Sequence, residues 1–567
     1  MRASDEEWIA TTLNELDLRG KIGQMIVPWM LGDYLAADGE EYDRLMVWVR
    51  DYGVGGLVIS VGGPLDAASK LNLLQREARI PLLIASDLEH GAGKRLRGGT
   101  VLPYGFDMGG ATEFPPPMAI GAADDEELAY QMGRVTAHEA RAVGVHMAYA
   151  PVVDVNSNPG NPIINTRSFG ADPERVARLA VAQLRGMQEN GLLATAKHFP
   201  GHGDTEVNSH LGLPVLAASR ERADSVELVP FRAAVDAEVA GVMTAHIAFP
   251  GLTGDSVPAS LSPHLLDGLL RGELRFAGVV VTDALDMGGI TSAEASVQAV
   301  LAGADVLLMP TDIEGAIEAI AREVIEGRIP EARIDSSVVR LLRLKSRVGL
   351  PQSRVVDLDA IAGAVGVPEH LETARRVAEG GLTLVRDRDR AVPLGASIRT
   401  PGRRIVSIVY SDDIDPWAGR AFQRTLAEAA TALEPRLETI LLDRRTPATV
   451  LDSLRAATRD ADLVIVSAFV QVRSWKGEIG MEPTVASFVE SVAARQALAL
   501  ISFGSPYLIQ QVPSAAVYLC AWGEEDVAQE AAARGIVGLV EIDGTLPIPI
   551  PPLYERGHGL PRPIESP

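Results

Sequence analysis

LLATAKHFPGHGDTEVNSH, residues 192–210, begins as an apolar run and ends as a cluster of ionisable groups. Lys197, His198, His202, Asp204 and His210 follow the run within a turn that carries Pro200, Gly201 and Gly203. Ionisable side chains are costly at the end of a buried strand unless they bind or transform something. In a barrel of parallel strands the carboxyl ends of the strands face the active site.

Seven more apolar runs of strand length accompany it in the first 350 residues: KIGQMIVPW, VGGLVISVG, PLLIASDL, HMAYAPVVDV, GVMTAHIAF, GVVVTDAL and ADVLLMPT. Helical patterns such as DDEELAYQMGRVTAHEARAV and PERVARLAVAQLRGMQEN lie between them. Continuous apolar strands separated by helices predict a parallel sheet buried on both faces. Eight such units predict an α/β fold with a (β/α)8 barrel of TIM type; a doubly wound sheet is the alternative that spacing leaves open.

The pattern changes near Leu350. Residues 1–350 are expected to form the catalytic barrel, 351–375 a linker, and 376–567 a second domain. Six further runs, GGLTLVRD, RRIVSIVYS, LETILLD, ADLVIVSAF, ALALISFG and AAVYLCAW, predict an α/β sandwich there. The proline-rich tail LPIPIPPLYERGHGLPRPIESP is expected to wrap the surface and fray. A chain of 567 residues exceeds one ordinary core, which agrees with two domains.

Net charge is −23, which disfavours nucleic acid and anionic membrane as partners. Cys520 is the single cysteine, so no internal disulfide forms. The start, MRASDEEWIATTLNELDLRG, has no basic segment followed by an apolar one, and no run spans a bilayer. A cytoplasmic location is the expectation.

Applying the strand-end rule gathers a convergent set. Asp87, Glu89 and His90 follow the third strand, Asp154 and a loop carrying Arg167 the fourth, Lys197 and His198 the fifth, His246 the sixth, and Asp283 and Asp286 the seventh. Other readings exist for single members. Asp87, Asp154 or Asp283 can cap the helix that follows, and His246 can be a hydrogen-bonded core histidine. Lys197 is harder to place without function, because a buried lysine needs a partner. A metal centre on His198, Asp204, His202 and His210 is the competing chemistry. Pro200 and the glycines rule out a helix presenting those histidines on one face, and neither HExxH nor a phosphate-loop motif occurs. No metal is expected.

KHFPGHGDTEVNSH, DLEHGAGKR, TRSFG and TDAL together make the chain resemble a family 3 glycoside hydrolase of the bacterial β-N-acetylglucosaminidase branch, which includes β-glycoside phosphorylases. ISFGSPYLI, AAVYLCAW and DGTLPIPIP extend the resemblance to that family's α/β sandwich domain. The resemblance implies a retaining double displacement without a cofactor, with Asp283 as nucleophile and His210 as acid/base. It implies that Asp87, Arg95, Arg167, Lys197 and His198 hold the sugar. Glu478 is the alternative acid/base, as in members that take a glutamate from the second domain. Gln471 and Trp475, in AFVQVRSWKGEIG, are further candidates for sugar contact, with an exposed surface loop as the other reading of that segment.

Two departures from the branch pattern matter. Asn208 stands where the branch has an aspartate two residues before the catalytic histidine. It can orient His210 without adding negative charge, so an anionic acceptor is tolerated. Inorganic phosphate, held by Arg167, Lys197 and His210, is therefore the expected co-substrate, with hydrolysis as the alternative. His90 stands where the branch has a glycine, so the donor is glucosyl or N-acetylglucosaminyl. A non-catalytic sugar-binding protein and a metal-dependent amidohydrolase are the other classes considered; the intact TDAL strand end opposes the first.

Overall fold

The computed structural model describes residues 3–98, 109–209, 212–287, 293–398, 400, 402–413, 415, 417–430, 436–473, 476–477 and 479–564. It divides into two compact units. The first comprises Met1–Glu113, Ala129–Asp154 and Ala180–Leu371; the second comprises Phe114–Leu128, Val155–Leu179 and Glu372–Pro567.

The first unit is a closed parallel barrel. Its strands are β1 (Ile26–Val27 and Trp29–Met30, interrupted at Pro28), β2 (Gly56–Ile59), β3 (Leu83–Ser86), β4 (Met147–Ala148), β5 (Leu193–Phe199), β6 (Gly241–Thr244), β7 (Val279–Val281) and β8 (Leu307–Leu308). Each of β1 to β7 pairs in parallel with the next. Closure comes from Val281 against Val306 and from Ile26–Val27 against Leu307–Leu308. The eight apolar runs in the sequence are these eight strands. Apart from Trp29 their residues are buried, as a sheet enclosed on both faces requires.

Helices follow the strands with local reasons for starting. Pro64 opens Pro64–Glu77, Ser219 accepts from the Arg222 N–H at 3.2 Å, and Asp312 accepts from the Gly315 N–H at 2.9 Å. Pro64–Glu77 buries Ala67, Leu71 and Leu74, one helical stripe, against the barrel. The segment after Leu350 is held by hydrogen bonds. Val356 exchanges two hydrogen bonds with the Asn72 amide, both 2.8 Å, and His370 Nδ1 lies 2.9 Å from the buried Glu139 carboxylate.

The second unit contains a six-stranded sheet: β9 (Thr383–Asp387), β10 (Arg404–Ser411), β11 (Arg436–Asp443), β12 (Leu463–Phe469), β13 (Leu498–Ser502) and β14 (Val517–Cys520). Spatial order is β9, β14, β13, β12, β10, β11, with only β9 antiparallel to its neighbour. Alternate residues Ile465, Phe469, Ile501 and Leu519 join Phe422, Leu426 and Ile536 from the helices Arg420–Ala430 and Asp526–Ile536 in one core. The intervening Val464, Val466 and Leu500 are equally buried and occupy the opposite face. The tail is tied down: Gly544 N–H donates to Leu382 O at 3.0 Å, Leu560 N–H to Leu384 O at 2.8 Å, and Arg562 pairs with Asp387 at 2.5 Å.

Candidate active site

Lys197 is the centre of charge at the barrel mouth. It sits at the carboxyl end of β5 with its side chain 3% exposed. Its ammonium lies 2.8 Å from Asp87 Oδ1 and 2.5 Å from Glu89 Oε1. Arg95 completes the group: Nη2 is 3.5 Å from Asp87 Oδ2, and Nε donates to the Asp87 carbonyl at 3.2 Å. Burial raises the Asp87 pKa, but Lys197 and Arg95 outweigh it and hold the carboxyl below its ordinary value. Among the described residues, two cations and two carboxylates balance in charge here.

Asp154, after β4, organises the neighbouring turn. It has no exposed side-chain surface. Its oxygens accept from His198 Nδ1–H at 2.7 Å, the His198 N–H at 3.2 Å and the His202 N–H at 2.7 Å. The Nδ1 contact fixes the His198 ring and leaves Nε2 for other partners. His202 bridges Thr205 Oγ1 and Ser209 Oγ, both at 2.9 Å, and so braces the loop that carries the buried Asn208. Gly201 is required within it, because φ is +139° and a Cβ would come 2.8 Å from Glu227.

Just past the end of β6, His246 is a buried, hydrogen-bonded histidine. Nε2–H donates to the Ala284 carbonyl at 2.9 Å, and Nδ1 meets Ser260 Oγ at 2.7 Å. It thereby holds the turn after β7 that presents Asp283. Asp283 is half-buried and accepts from the Ala284 N–H at 2.9 Å, an arrangement that aims the carboxylate. Partial desolvation, with the nearby Asp283 charge adding to it, raises the exposed Asp286 above its ordinary value.

Arg167 and Gln471 belong to the second unit. Arg167 Nη1 donates to the Ile163 carbonyl at 2.9 Å within a loop that Asn161 also braces. Gln471 is buried, and its amide nitrogen donates to the Phe503 carbonyl at 2.5 Å. The segment around it is anchored by Arg473 against Asp413 and Glu524, and by the buried Lys476 against Asp412 and Asp413. His210, Trp475 and Glu478 lie outside the described residues. Asp204 faces Arg222 at 3.8 Å. Among the described residues no group of three or more His, Cys, Asp or Glu side chains is placed to hold a metal, and no helix is long and apolar enough to cross a membrane.

Sequence reasoning gathered Glu89 and Asp154 at strand ends without seeing their partners and passed over Tyr149; the geometry brings in all three. Glu89 is the second anion on Lys197, Asp154 is the anchor of His198, and Tyr149 is buried close enough to Asp87 for that charge to add to burial in raising its pKa. For Glu89 and Asp154 the available signal was a carboxylate directly after a buried strand.

A model described as the glycosyl hydrolase family 3 N terminal domain matches residues 17–344. The "Beta-N-acetylglucosaminidase/beta-glucosidase" of Cellulomonas fimi is 29% identical over 564 residues, 95% of each chain. A solved family 3 beta-N-acetylglucosaminidase from Paenibacillus sp. str. FPU-7 superposes with a TM-score of 0.82 at 32% identity, over 94% of this chain and 99% of that one. "Beta-glucoside phosphorylase BglX bound to 2FGlc" superposes at 0.84 with 27% identity over 97% of each. The barrel, its charged strand ends and these matches agree: the chain belongs to glycosyl hydrolase family 3 and is an enzyme of that family.

Proposed function

We propose that the enzyme is a retaining β-glycoside phosphorylase acting on a β-linked glucosyl or N-acetylglucosaminyl donor. The Asp283 carboxylate attacks the anomeric carbon while His210 gives its proton to the departing oxygen, and a glycosyl ester forms. A phosphate oxygen then attacks the same carbon, the ester bond breaks, and a phosphate proton returns to His210. The product is a sugar 1-phosphate of retained configuration.

Asn208 carries the reading. Asn208 is buried, and an amide two positions before the acid/base brings no negative charge to repel an anion. Of the loop's other acids, Asp204 faces Arg222 and Glu206 is exposed. The charge on Lys197 is already balanced by Asp87 and Glu89, which suits it to donor hydroxyls beside Asp87, Arg95 and His198. On this reading Arg167 and His210 are the main phosphate contacts. The resemblance to a solved beta-glucoside phosphorylase supports it. Hydrolysis is the second reading, supported by the activities for which the Cellulomonas and Paenibacillus relatives are named.

Release of nitrophenol from aryl β-glucoside and β-N-acetylglucosaminide, with and without phosphate, tests the proposal. Strong stimulation by phosphate, with sugar 1-phosphate seen by NMR, is expected. Free sugar released at a rate indifferent to phosphate assigns hydrolysis.

A further inference from the structure

The turn after β5 leans on a buried carboxylate. Gly201 approaches Glu227 so closely that a Cβ there would come 2.8 Å from the Glu227 Cβ and 2.9 Å from its Cγ. Glu227 lies between the helices Arg220–Ser225 and Leu228–Asp236, with its side chain 5% exposed. One oxygen, Oε1, accepts from Arg222 Nε at 3.1 Å. The other, Oε2, is buried and accepts no hydrogen bond among the described residues.

A carboxylate is a poor filler for that space. Burial raises its pKa above the ordinary value, and Arg222 offsets this only in part. An apolar side chain would pack against Gly201 without the penalty. What the carboxylate adds is a hold on Arg222, and Arg222 passes that hold to the loop. The Arg222 backbone is fixed by the Ser219 cap, and its guanidinium brings Nη2 to 3.8 Å from Asp204 Oδ2. Asp204 stands between Gly201 and Asn208 in the chain. Glu227 therefore meets the loop directly at Gly201 and through Arg222 at Asp204. The Asp204 contact is half-exposed and the Glu227 contact is buried, so Glu227 supplies most of the hold.

Asp154 holds the start of the same loop from the end of β4, through the His198 and His202 N–H groups. The loop is thus gripped from two separate parts of the barrel. A group that must give and take a proton needs such a grip, because a misplacement of about 1 Å can slow a reaction about 10²-fold.

We infer that Glu227 and Arg222 are positioning residues for the proposed acid/base: they fix the loop that presents Asn208 and His210. The inference rests on the reading of His210 as that acid/base.

The test compares kcat/KM for the methyl β-glycoside and the dinitrophenyl β-glycoside of the preferred donor sugar. Methanol departs only with a proton, whereas dinitrophenolate departs without one. Glu227→Leu and Arg222→Gln are each expected to lower the methyl value by about tenfold to a hundredfold and the dinitrophenyl value by no more than about threefold. Arg222 is 40% exposed, so Arg222→Gln serves should Glu227→Leu fail to fold. An equal loss on both substrates, as a merely structural pair would give, overturns the inference, and so does an unchanged methyl value. His210→Ala should show the same split at larger amplitude. Should it not separate the two substrates, or should the wild type turn over neither, the acid/base reading fails by itself. Hydrogen exchange then decides the hold: faster exchange across residues 201–208 in Arg222→Gln, with β5 unchanged, supports it, and equal exchange overturns it.

Discussion

The two ends of the barrel each bury a lysine and treat it in opposite ways. At the mouth, Lys197 is met by Asp87 and Glu89, so its charge is retained in place. At the other end, Lys345 on the helix Glu331–Arg347 has no exposed surface and donates to a single amide oxygen, Gln24 Oε1, at 2.6 Å. Gln24 precedes β1 and in turn donates to Gly53, which precedes β2. Burial pushes the Lys345 amine down to about 7. A lysine kept charged by two acids belongs to a site, whereas one that sheds its proton belongs to packing.

Removing the proposed nucleophile should separate the ends most sharply. Asp283→Asn is expected to lower kcat by about 10⁴-fold or more while leaving the melting temperature close to that of the wild type. Activity at that level within tenfold of wild type would show that the mouth cluster does not feed this carboxylate. Next in size is Lys197→Met, which leaves Asp87 and Glu89 facing each other with Arg95 as the remaining cation. We expect kcat/KM to fall about 10²-fold or more and stability to drop. The Asp87 carboxyl, relieved of its largest attractive partner, should titrate at higher pH, so the acid limb of the rate profile moves up. An unmoved limb would mean that Asp87 is not an essential ionised group.

Smaller effects follow from Asn208→Asp. A carboxylate beside the imidazole stabilises its protonated form, so the basic limb should move to higher pH. Stimulation by phosphate should decline by about threefold to tenfold as like charges meet. Equal stimulation in both proteins would remove Asn208 from the argument. Least of all should change with Lys345→Met, for which activity is expected within about twofold of wild type. Its signature is in stability. The native amine titrates near 7 and the unfolded one near 10.5. Between those values the unfolded chain binds the extra proton, so wild-type stability rises with pH by about 1.4 kcal/mol per unit, and the cost is fully present below 7. Denaturant titrations of Lys345→Met should lack that rise.

Much of the barrel was legible because each strand is a short, wholly apolar run, and the six runs of the second unit are legible for the same reason. The strand-end rule gathers Asp87, Asp154, Lys197, His198, His246 and Asp283 from sequence alone. Hydropathy could not show how they are shared out. Lys197 finds Asp87 across 110 positions of sequence, and Asp154 spends its oxygens on a turn 44 to 48 residues away. Gln471 shows the opposite outcome: a polar residue at a strand end whose amide nitrogen is given to a backbone carbonyl. Exposure was hidden for another reason: Trp29 and Val61 lie in runs that read as buried strands, yet their side chains reach water.

The tail has a consequence for how this protein behaves in a crowded solution. Gly544 and Leu560 occupy carbonyls on the outer rim of β9 that would otherwise invite a strand from another chain. The opposite rim, β11, has no such cover from the tail among the described residues and instead displays charge, with Glu438 paired to Arg404 and Asp443 to Arg445. One border is sealed by the chain itself and the other is guarded by electrostatics. Trimming the chain before Gly544 would open the sealed border, and the first sign would be self-association by strand addition rather than loss of catalysis.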